Sequence, residues 1–204
     1  MKLKHIIVKQ FGKPTGTFGR FVGWLMSFKN NDRVEWTYEK LKLKPTDILL
    51  EIGYGPGVTL KRVANSLTSG FIAGIDHSEI MLEQASRRNK EQIDNAKVKL
   101  ECGTVWDLIY PENYFDTIYG SNVHFFWKNP TEEFRQLVTM LKPGGRLVMV
   151  FQPRLTKEKM DDDVKQVAYN TKQQYEEVGL TNIEIAFKTM SPMTCIYISG
   201  QKIE

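Results

Sequence analysis

Three glycines at alternating positions follow an apolar run and a single carboxylate in the stretch LLEIGYGPGVTL. Gly53, Gly55 and Gly57 stand where a predicted strand turns into a helix, and Glu51 precedes them. Glycine lets the backbone approach a ligand closely and adopt dihedral angles that other residues avoid. The pattern predicts a loop that cradles a nucleotide-like ligand, although an ordinary strand-to-helix turn would carry the same glycines.

The spacing of these glycines narrows the class of ligand. A dinucleotide fingerprint would place its third glycine at position 58, where this chain has Val58. A phosphate-binding loop of an NTPase is excluded because no Gly-Lys-Ser/Thr is present and Lys61 is out of register. The loop is therefore expected to hold a nucleotide other than a dinucleotide or a triphosphate.

An acidic residue follows about twenty residues after the loop. Asp76 ends a second predicted strand, in the stretch FIAGIDHS. Because the carboxyl ends of neighbouring parallel strands flank the ligand crevice, a carboxylate there can accept hydrogen bonds from ribose hydroxyls. The alternative is a cap for the following helix, a role that Ser78 can also fill. We favour ribose binding.

No metal site is predicted. His5, His77 and His124 form no pattern with Cys102 or Cys195 that has metal-ligand spacing. The two cysteines are far apart in sequence, and each lies in a predicted buried strand. We expect them to be reduced thiols of a cytosolic protein.

The elements that position these residues alternate between short apolar runs and longer amphipathic ones, which is typical of βαβ units. Strands are predicted at 48–52, 71–76, 97–102, 115–120 and 146–152. Helices are predicted at 60–67, 78–92, 131–141 and 157–178. Two last strands, at 183–189 and 194–199, have no helix between them and should form an antiparallel hairpin. The fold class is α/β, a doubly wound, seven-stranded and mostly parallel sheet.

The first 44 residues differ from the rest. Apolar residues at helical spacing from Phe18 to Phe28 predict one short helix, and Asp32 with Glu35 forms a capping box for a second. We expect an amino-terminal helical lid over 1–44 and the ligand-binding domain over 45–204. This segment has ten lysines and arginines against three acids. The excess could favour an anionic substrate, a membrane surface or nucleic acid, or could be a solvated basic face.

Length and composition predict a soluble, cytoplasmic globular protein. The chain has 204 residues, of which 41% are hydrophobic and 25% are charged. Its apolar runs are shorter than the roughly 20 residues of a transmembrane segment. The basic start lacks the roughly 7 to 15 apolar residues of a signal peptide.

Four successive motifs give the chain a family resemblance. LLEIGYGPG, GIDHSEIMLEQA, ECGTVWDLIYPENYFDTIYGSNVHFFWKNP and MLKPGGRLVMVF cover roughly residues 46 to 152. In order and spacing they resemble the motifs of class I S-adenosylmethionine-dependent methyltransferases of the small, methyltransferase-domain type. The resemblance implies a Rossmann-like sheet of seven strands, with the last inserted antiparallel. It also implies methyl transfer to a small organic acceptor, with S-adenosyl-L-homocysteine as the product of the cofactor.

The resemblance implies a set of cofactor contacts. The residues implied around the methionine part are Glu51, Gly53, Tyr54, Gly55 and Gly57. Asp76 would hold the ribose, and Ser121 would offer its backbone carbonyl to the methionine amino group.

The adenine would lie between His77 and Met81, with Thr104 and Val105 beside its ring. Relatives often carry an acid at the position of Thr104, where it accepts a hydrogen bond from the adenine amino group. A threonine hydroxyl can bond there too, although more weakly.

The acceptor side is less defined, and no catalytic residue is assigned. His124 is a candidate general base with an ordinary pKa suited to neutral pH, but we favour a structural role for it, packing or hydrogen bonding in the loop after the fourth strand. Trp127 could line an acceptor pocket or fill core. Trp24 and Trp36 of the amino-terminal helices could cover the acceptor or pack on the core.

Two other functions remain possible from the residues alone. A catalytically silent cofactor-binding or regulatory protein of the same fold is the main alternative. A nicotinamide-dependent dehydrogenase is a remote third, because its sixth-position glycine and a Tyr-x-x-x-Lys pair are missing. A nucleic-acid acceptor is not expected, since SNVHF stands where a nucleotide-modifying motif would follow the fourth strand.

Overall fold

Seven strands form one sheet in the computed structural model, which describes residues 31–153, 162–191 and 193–203. In chain order the strands are β1 (Ile48–Ile52), β2 (Phe71–Asp76), β3 (Val98–Cys102), β4 (Phe115–Ser121), β5 (Leu141–Phe151), β6 (Leu180–Lys188) and β7 (Cys195–Lys202). Across the sheet the order is β3-β2-β1-β4-β5-β7-β6. The strands β1 to β5 pair in parallel, and β7 is antiparallel to both β5 and β6. The predicted mostly parallel sheet with its closing hairpin is confirmed.

Helices cover both faces of this sheet. They are α1 (Asn31–Leu41), α2 (Val58–Ala64), α3 (Glu79–Arg88), α4 (Lys90–Asp94), α5 (Pro130–Met140) and α6 (Asp162–Glu177). On β1, Leu50 packs in the core beneath α5 and α6, whereas Leu49 packs in the core beneath α1, α2 and α3. Because strand side chains alternate between faces, each face buries its own apolar core. The doubly wound arrangement is confirmed.

The fifth strand begins earlier than the sequence predicts. The residues LKPGG, which precede the predicted strand at 146–152, are part of β5, because Leu141 already pairs with Phe115. The register then shifts, and Arg146 is the next β5 residue opposite β4, pairing with Thr117. Gly144 has a φ of 75°, so the glycines form an irregular start of the strand rather than a separate turn.

The helix predicted at 78–92 is two helices divided at Asn89. The Asn89 side chain donates to the carbonyl oxygens of Ala85 at 2.8 Å and of Gly57 at 3.2 Å. An asparagine that bonds the backbone in this way competes with helix continuation. The break ties α3 to the glycine loop.

The amino-terminal region contributes one described helix. The second predicted helix corresponds to α1, which packs against α2, β5 and β7. Its Trp36 meets the Tyr197 ring edge-on, with the ring centroids 6.3 Å apart. The first predicted helix and Trp24 lie outside the described residues, and the division of the chain at residue 44 stays a prediction.

One cysteine does not lie where the sequence suggests. Cys195 is buried in β7, but Cys102 is exposed at the end of β3, so its predicted burial is wrong. The reason is topological, since β3 is an edge strand of the sheet. No disulfide joins the two thiols.

None of the helices in the described part of the chain is both long and apolar enough to cross a bilayer.

Candidate functional site

The carboxyl ends of four parallel strands bring the predicted cofactor residues to one edge of the sheet. Glu51 lies near the end of β1, Asp76 ends β2, Thr104 follows β3 and Ser121 ends β4. The strand order changes direction between β1 and β4. Open α/β sheets form their ligand crevice at such a switch point. The fold therefore gathers residues from four separate motifs at one place.

All three glycines of the loop have left-handed backbone conformations. The φ angles of Gly53, Gly55 and Gly57 are 69°, 52° and 73°. A Cβ on Gly53 would lie 2.8 Å from Val123 Cγ2, and one on Gly57 would lie 2.6 Å from Asn89 Nδ2. A Cβ on Gly55 would meet nothing within 4 Å. The outer two glycines pack against the protein, whereas Gly55 faces open space that a ligand can occupy.

Asp76 joins the glycine loop to the start of α3. Its Oδ2 accepts the Gly55 N–H at 2.9 Å, and its Oδ1 accepts the Ser78 N–H at 3.0 Å. Burial raises the pKa of this carboxyl, while the two backbone N–H groups act to lower it. The carboxylate thus both orders the loop and stands at the helix start, and each oxygen keeps a lone pair for a further donor.

Glu51 is an enclosed carboxyl beneath the glycine loop. It is only 2% exposed, and Tyr119 on β4 donates its hydroxyl to Glu51 Oε2 at 2.9 Å. Burial raises the pKa of Glu51 to about 8. The group therefore keeps its proton at neutral pH unless a cation comes close.

A cleft lies between the glycine loop and α1. Its lining includes Arg33, Glu51, Tyr54, Gly55 and Ser121. The Tyr54 hydroxyl donates to the Glu101 carbonyl at 3.1 Å, so this ring closes the side of the cleft toward β3. The cleft combines a guanidinium and a carboxyl group with exposed loop backbone.

Arg33 is a charged lining residue that the motifs did not indicate. Its Nε donates to Ser121 Oγ at 3.1 Å, and its Nη1 donates to Gln152 Oε1 at 3.0 Å. A usable signal was present in the sequence. Arg33 stands three and four residues before Trp36 and Thr37, which are both buried, and so belongs to the inner face of α1.

The predicted adenine side lies around the ends of β2 and β3. His77 is exposed, with Nδ1 3.8 Å from Asp76 Oδ1, whereas Met81 and Val105 are buried. The Thr104 hydroxyl donates to Asp107 Oδ2 at 2.7 Å.

The Asp107 carboxylate also accepts the Thr104 N–H at 2.8 Å, and these bonds lower its pKa. An acid, Asp107, therefore stands beside Thr104 at the predicted adenine position, three residues further along the chain. The T-x-x-D spacing of a capping box was the signal for it.

His124 and Trp127 belong to an aromatic cluster, formed with Phe125, Phe134 and Phe151. His124 is 4% exposed, and its ring centroid lies 4.3 Å from that of Phe151. Within the described residues, its Nδ1 has no hydrogen-bond partner. Burial lowers the pKa of His124 to about 4, which makes it a weak base. Its role as a general base stays a prediction, and this enclosure weighs against it.

Trp36 and Trp127, the other predicted acceptor residues that the structure describes, are also outside the cleft lining. Trp36 is 6% exposed in the core, and Trp127 packs on Phe134 with ring centroids 5.2 Å apart. Across the described ranges, no group of three His, Cys, Asp or Glu side chains could hold a metal ion.

The known proteins that this chain resembles in sequence or fold include several methyltransferases. Residues 49–145 match the family model described as "Methyltransferase domain". An uncharacterized methyltransferase of Bacillus subtilis, YdaC, is 27% identical over 88% of this chain and 97% of its own length. A demethylmenaquinone methyltransferase of Symbiobacterium thermophilum is 32% identical over 52% of this chain and 42% of its own. The structure of an S-adenosylmethionine-dependent methyltransferase from Aquifex aeolicus superposes with a TM-score of 0.71 at 15% identity, covering 92% of this chain and all of that one.

Proposed function

We propose that this class I S-adenosylmethionine-dependent methyltransferase, so identified by its family match, relatives and fold, transfers the methyl group to a small organic acceptor. The observation that carries the proposal is the cleft, in which open space at Gly55 adjoins Glu51, Asp76 and Ser121. The relative named as a demethylmenaquinone methyltransferase supports an organic molecule as the acceptor.

The residues of the cleft fit the cofactor by their chemistry. When bound, S-adenosylmethionine supplies an electrophilic methyl group on a sulfonium. Asp76 keeps lone pairs for the ribose hydroxyls, and Glu51 with the Ser121 carbonyl suits the methionine ammonium. Methyl transfer depends mainly on alignment and exclusion of water, so no proton-transfer group is assigned to this chain.

A cytoplasmic location is part of the proposal and rests on the two cysteines, which form no disulfide. Nucleic acid is not proposed as an acceptor, because the segment after β4 is a short turn ending in the aromatic cluster.

Calorimetry with S-adenosylmethionine and S-adenosylhomocysteine tests the cofactor, and we expect dissociation constants between about 1 μM and 1 mM. A matched pair of variants tests the cleft. Gly55→Ala and Gly179→Ala both place a Cβ at a positive φ with nothing within 4 Å, so both should lose about 1 kcal/mol of stability. Only Gly55→Ala should weaken cofactor binding, by about 10-fold or more, because its methyl group enters the ligand space.

Acceptors are then screened by S-adenosylhomocysteine production with quinols, phenols, thiols, amines and lipids. Turnover on one of them is the expected result. Cofactor binding without turnover on the whole panel would favour the catalytically silent alternative, and absence of cofactor binding would overturn the proposal.

A further inference from the structure

The glycine loop rests on the end of α3 through two consecutive carbonyl groups. Arg88 donates through Nη1 to the Pro56 oxygen, and Asn89 donates through Nδ2 to the Gly57 oxygen at 3.2 Å. The Asn89 side chain is fully buried, and its Nδ2 also donates to the Ala85 carbonyl at 2.8 Å. The second bond fixes the direction of the amide, so its contact with the loop has one geometry.

The beginning of the loop is attached to a different element, the strand β2. The Gly53 N–H donates to the Ile75 carbonyl at 2.7 Å, and the Gly55 N–H donates to Asp76 Oδ2 at 2.9 Å. Between the two attachments, a Cβ on Gly55 would meet nothing within 4 Å. The loop is therefore held at both ends by the protein and adjoins open space in its middle.

These attachments matter because a loop with three glycines has a large conformational entropy. A ligand that must order such a loop on binding loses affinity, whereas a loop that the protein has already ordered does not impose this cost. The contact with α3 is close as well as polar, since a Cβ on Gly57 would lie 2.6 Å from Asn89 Nδ2. The end of α3 therefore restricts the shape of the loop by packing and by hydrogen bonds.

Two neighbouring residues of the same types do not contact the loop. Arg87 is exposed and pairs with Glu83 one turn earlier on α3. Gln92 is a buried amide on α4, and its Nε2 donates to Asn65 Oδ1 at 2.8 Å, at the carboxyl end of α2. Like Asn89, Gln92 has a side-chain oxygen without a partner among the described residues. The two amides thus differ mainly in which end of α2 they support.

We infer that Arg88 and Asn89 are positioning residues for the cofactor, which hold the glycine loop in its binding shape before the cofactor arrives. Neither side chain lines the cleft, so both act through the loop backbone. The inference rests on the proposed function, because it takes the glycine loop as part of the cofactor site. It also gives a role to the division between α3 and α4, at which Asn89 stands.

Calorimetry with S-adenosylhomocysteine tests the inference on two matched pairs of variants. Asn89→Ala and Arg88→Met should each bind about 5- to 10-fold more weakly than wild type, as for a lost hydrogen bond. Gln92→Ala and Arg87→Met are the controls and should stay within about 2-fold, because neither residue contacts the loop. Denaturant midpoints should fall by similar amounts in Asn89→Ala and Gln92→Ala, since each loses one buried amide.

Amide hydrogen exchange in the ligand-free protein gives a readout that loss of stability alone would not move. Exchange in the segment 53–57 should be faster in Asn89→Ala than in Gln92→Ala, and saturating S-adenosylhomocysteine should remove the difference. If Asn89→Ala does not fold, the comparison of Arg88→Met with Arg87→Met decides, because Arg88 is only half-buried.

Equal losses of affinity in Asn89→Ala and Gln92→Ala would overturn the inference and leave Asn89 as a general support of the fold. Unchanged affinity in both Asn89→Ala and Arg88→Met would overturn it as well. Wild-type protein that does not bind S-adenosylhomocysteine would instead contradict the proposed function.

Discussion

The cleft and the aromatic cluster both enclose titratable side chains at the carboxyl edge of the parallel strands, but their surroundings differ. In the cleft, Glu51 accepts a hydrogen bond from Tyr119 and lines the open space, and Asp76 accepts one from Gly55 of the cleft lining. In the aromatic cluster, His124 is enclosed by rings and its Nδ1 has no partner among the described residues. Burial shifts the pKa of all three groups, so a shifted pKa alone does not identify a functional residue. The two regions differ in whether the titratable group has hydrogen-bond partners and adjoins open space.

The pH dependence of stability should report the enclosure of His124. Between pH 6.5 and about 4 the unfolded chain binds a proton at this histidine and the folded chain does not, so the contribution of His124 to stability falls as the pH falls. This loss is on the order of 3 kcal/mol. Glu51, whose pKa burial raises to about 8, contributes in the opposite direction over most of this range, so the measurement is the difference between wild type and His124→Leu in denaturant unfolding at several pH values.

The same variant tests the catalytic hypothesis for His124. If the side chain only packs, kcat should stay within about 3-fold of wild type, whereas loss of a general base costs on the order of 100-fold or more. A large fall in kcat with intact cofactor affinity would place His124 in the reaction. The aromatic cluster would then be a functional region like the cleft.

Asp76→Asn should have the largest effect within the cleft. An amide cannot accept from the ribose and from both backbone N–H groups in the same way, so cofactor affinity should fall about 30-fold. Asp94→Asn is the control, because Asp94 is exposed and pairs with Lys90 on α4 at 2.7 Å. Calorimetry with S-adenosylhomocysteine measures both, and equal affinities would exclude Asp76 from the ribose site.

Cofactor binding should release a proton from Glu51. The ligand ammonium favours the ionised carboxylate, so below pH 8 affinity should rise with pH by up to about 10-fold per unit. Calorimetry in two buffers of different ionisation enthalpy measures the proton release. Glu51→Gln should abolish it, and a wild-type heat that is the same in both buffers would show that the ammonium does not approach Glu51.

The smallest effect is expected at the adenine end. Thr104→Val removes the hydroxyl that donates to Asp107, and cofactor affinity should fall about 3-fold, as for one neutral hydrogen bond. Thr139→Val is the control, because the Thr139 hydroxyl bonds only the Gln136 carbonyl within α5. An affinity that does not change would remove Thr104 from the adenine contacts.

The parts predicted well from sequence are those with local signals. The glycine loop, Asp76 and the strands β1 and β2 each depend on neighbouring residues, and the structure has both strands at the predicted bounds. Arg33 was missed because its partners, Ser121 and Gln152, lie 88 and 119 residues further along the chain.

The enclosure of His124 could not be predicted from the sequence either. The segment NVHFFW is compatible with a pocket or with core, and the decision depends on Phe134 from α5 and Phe151 from β5. The division of α3 from α4 depends in the same way on a contact between Asn89 and Gly57, 32 residues apart. Residues that meet only after folding determine what a local pattern leaves open.

The side chain of Gln152 links two distant segments of the chain. One end accepts from Arg33 on α1, and the other donates to the Met193 carbonyl in the connection between β6 and β7. A ligand that immobilises the Arg33 guanidinium therefore also restrains the entry to β7. Amide hydrogen exchange should slow on cofactor binding at Cys195 and Ile196, which would make the carboxyl-terminal hairpin a remote reporter of an occupied cleft.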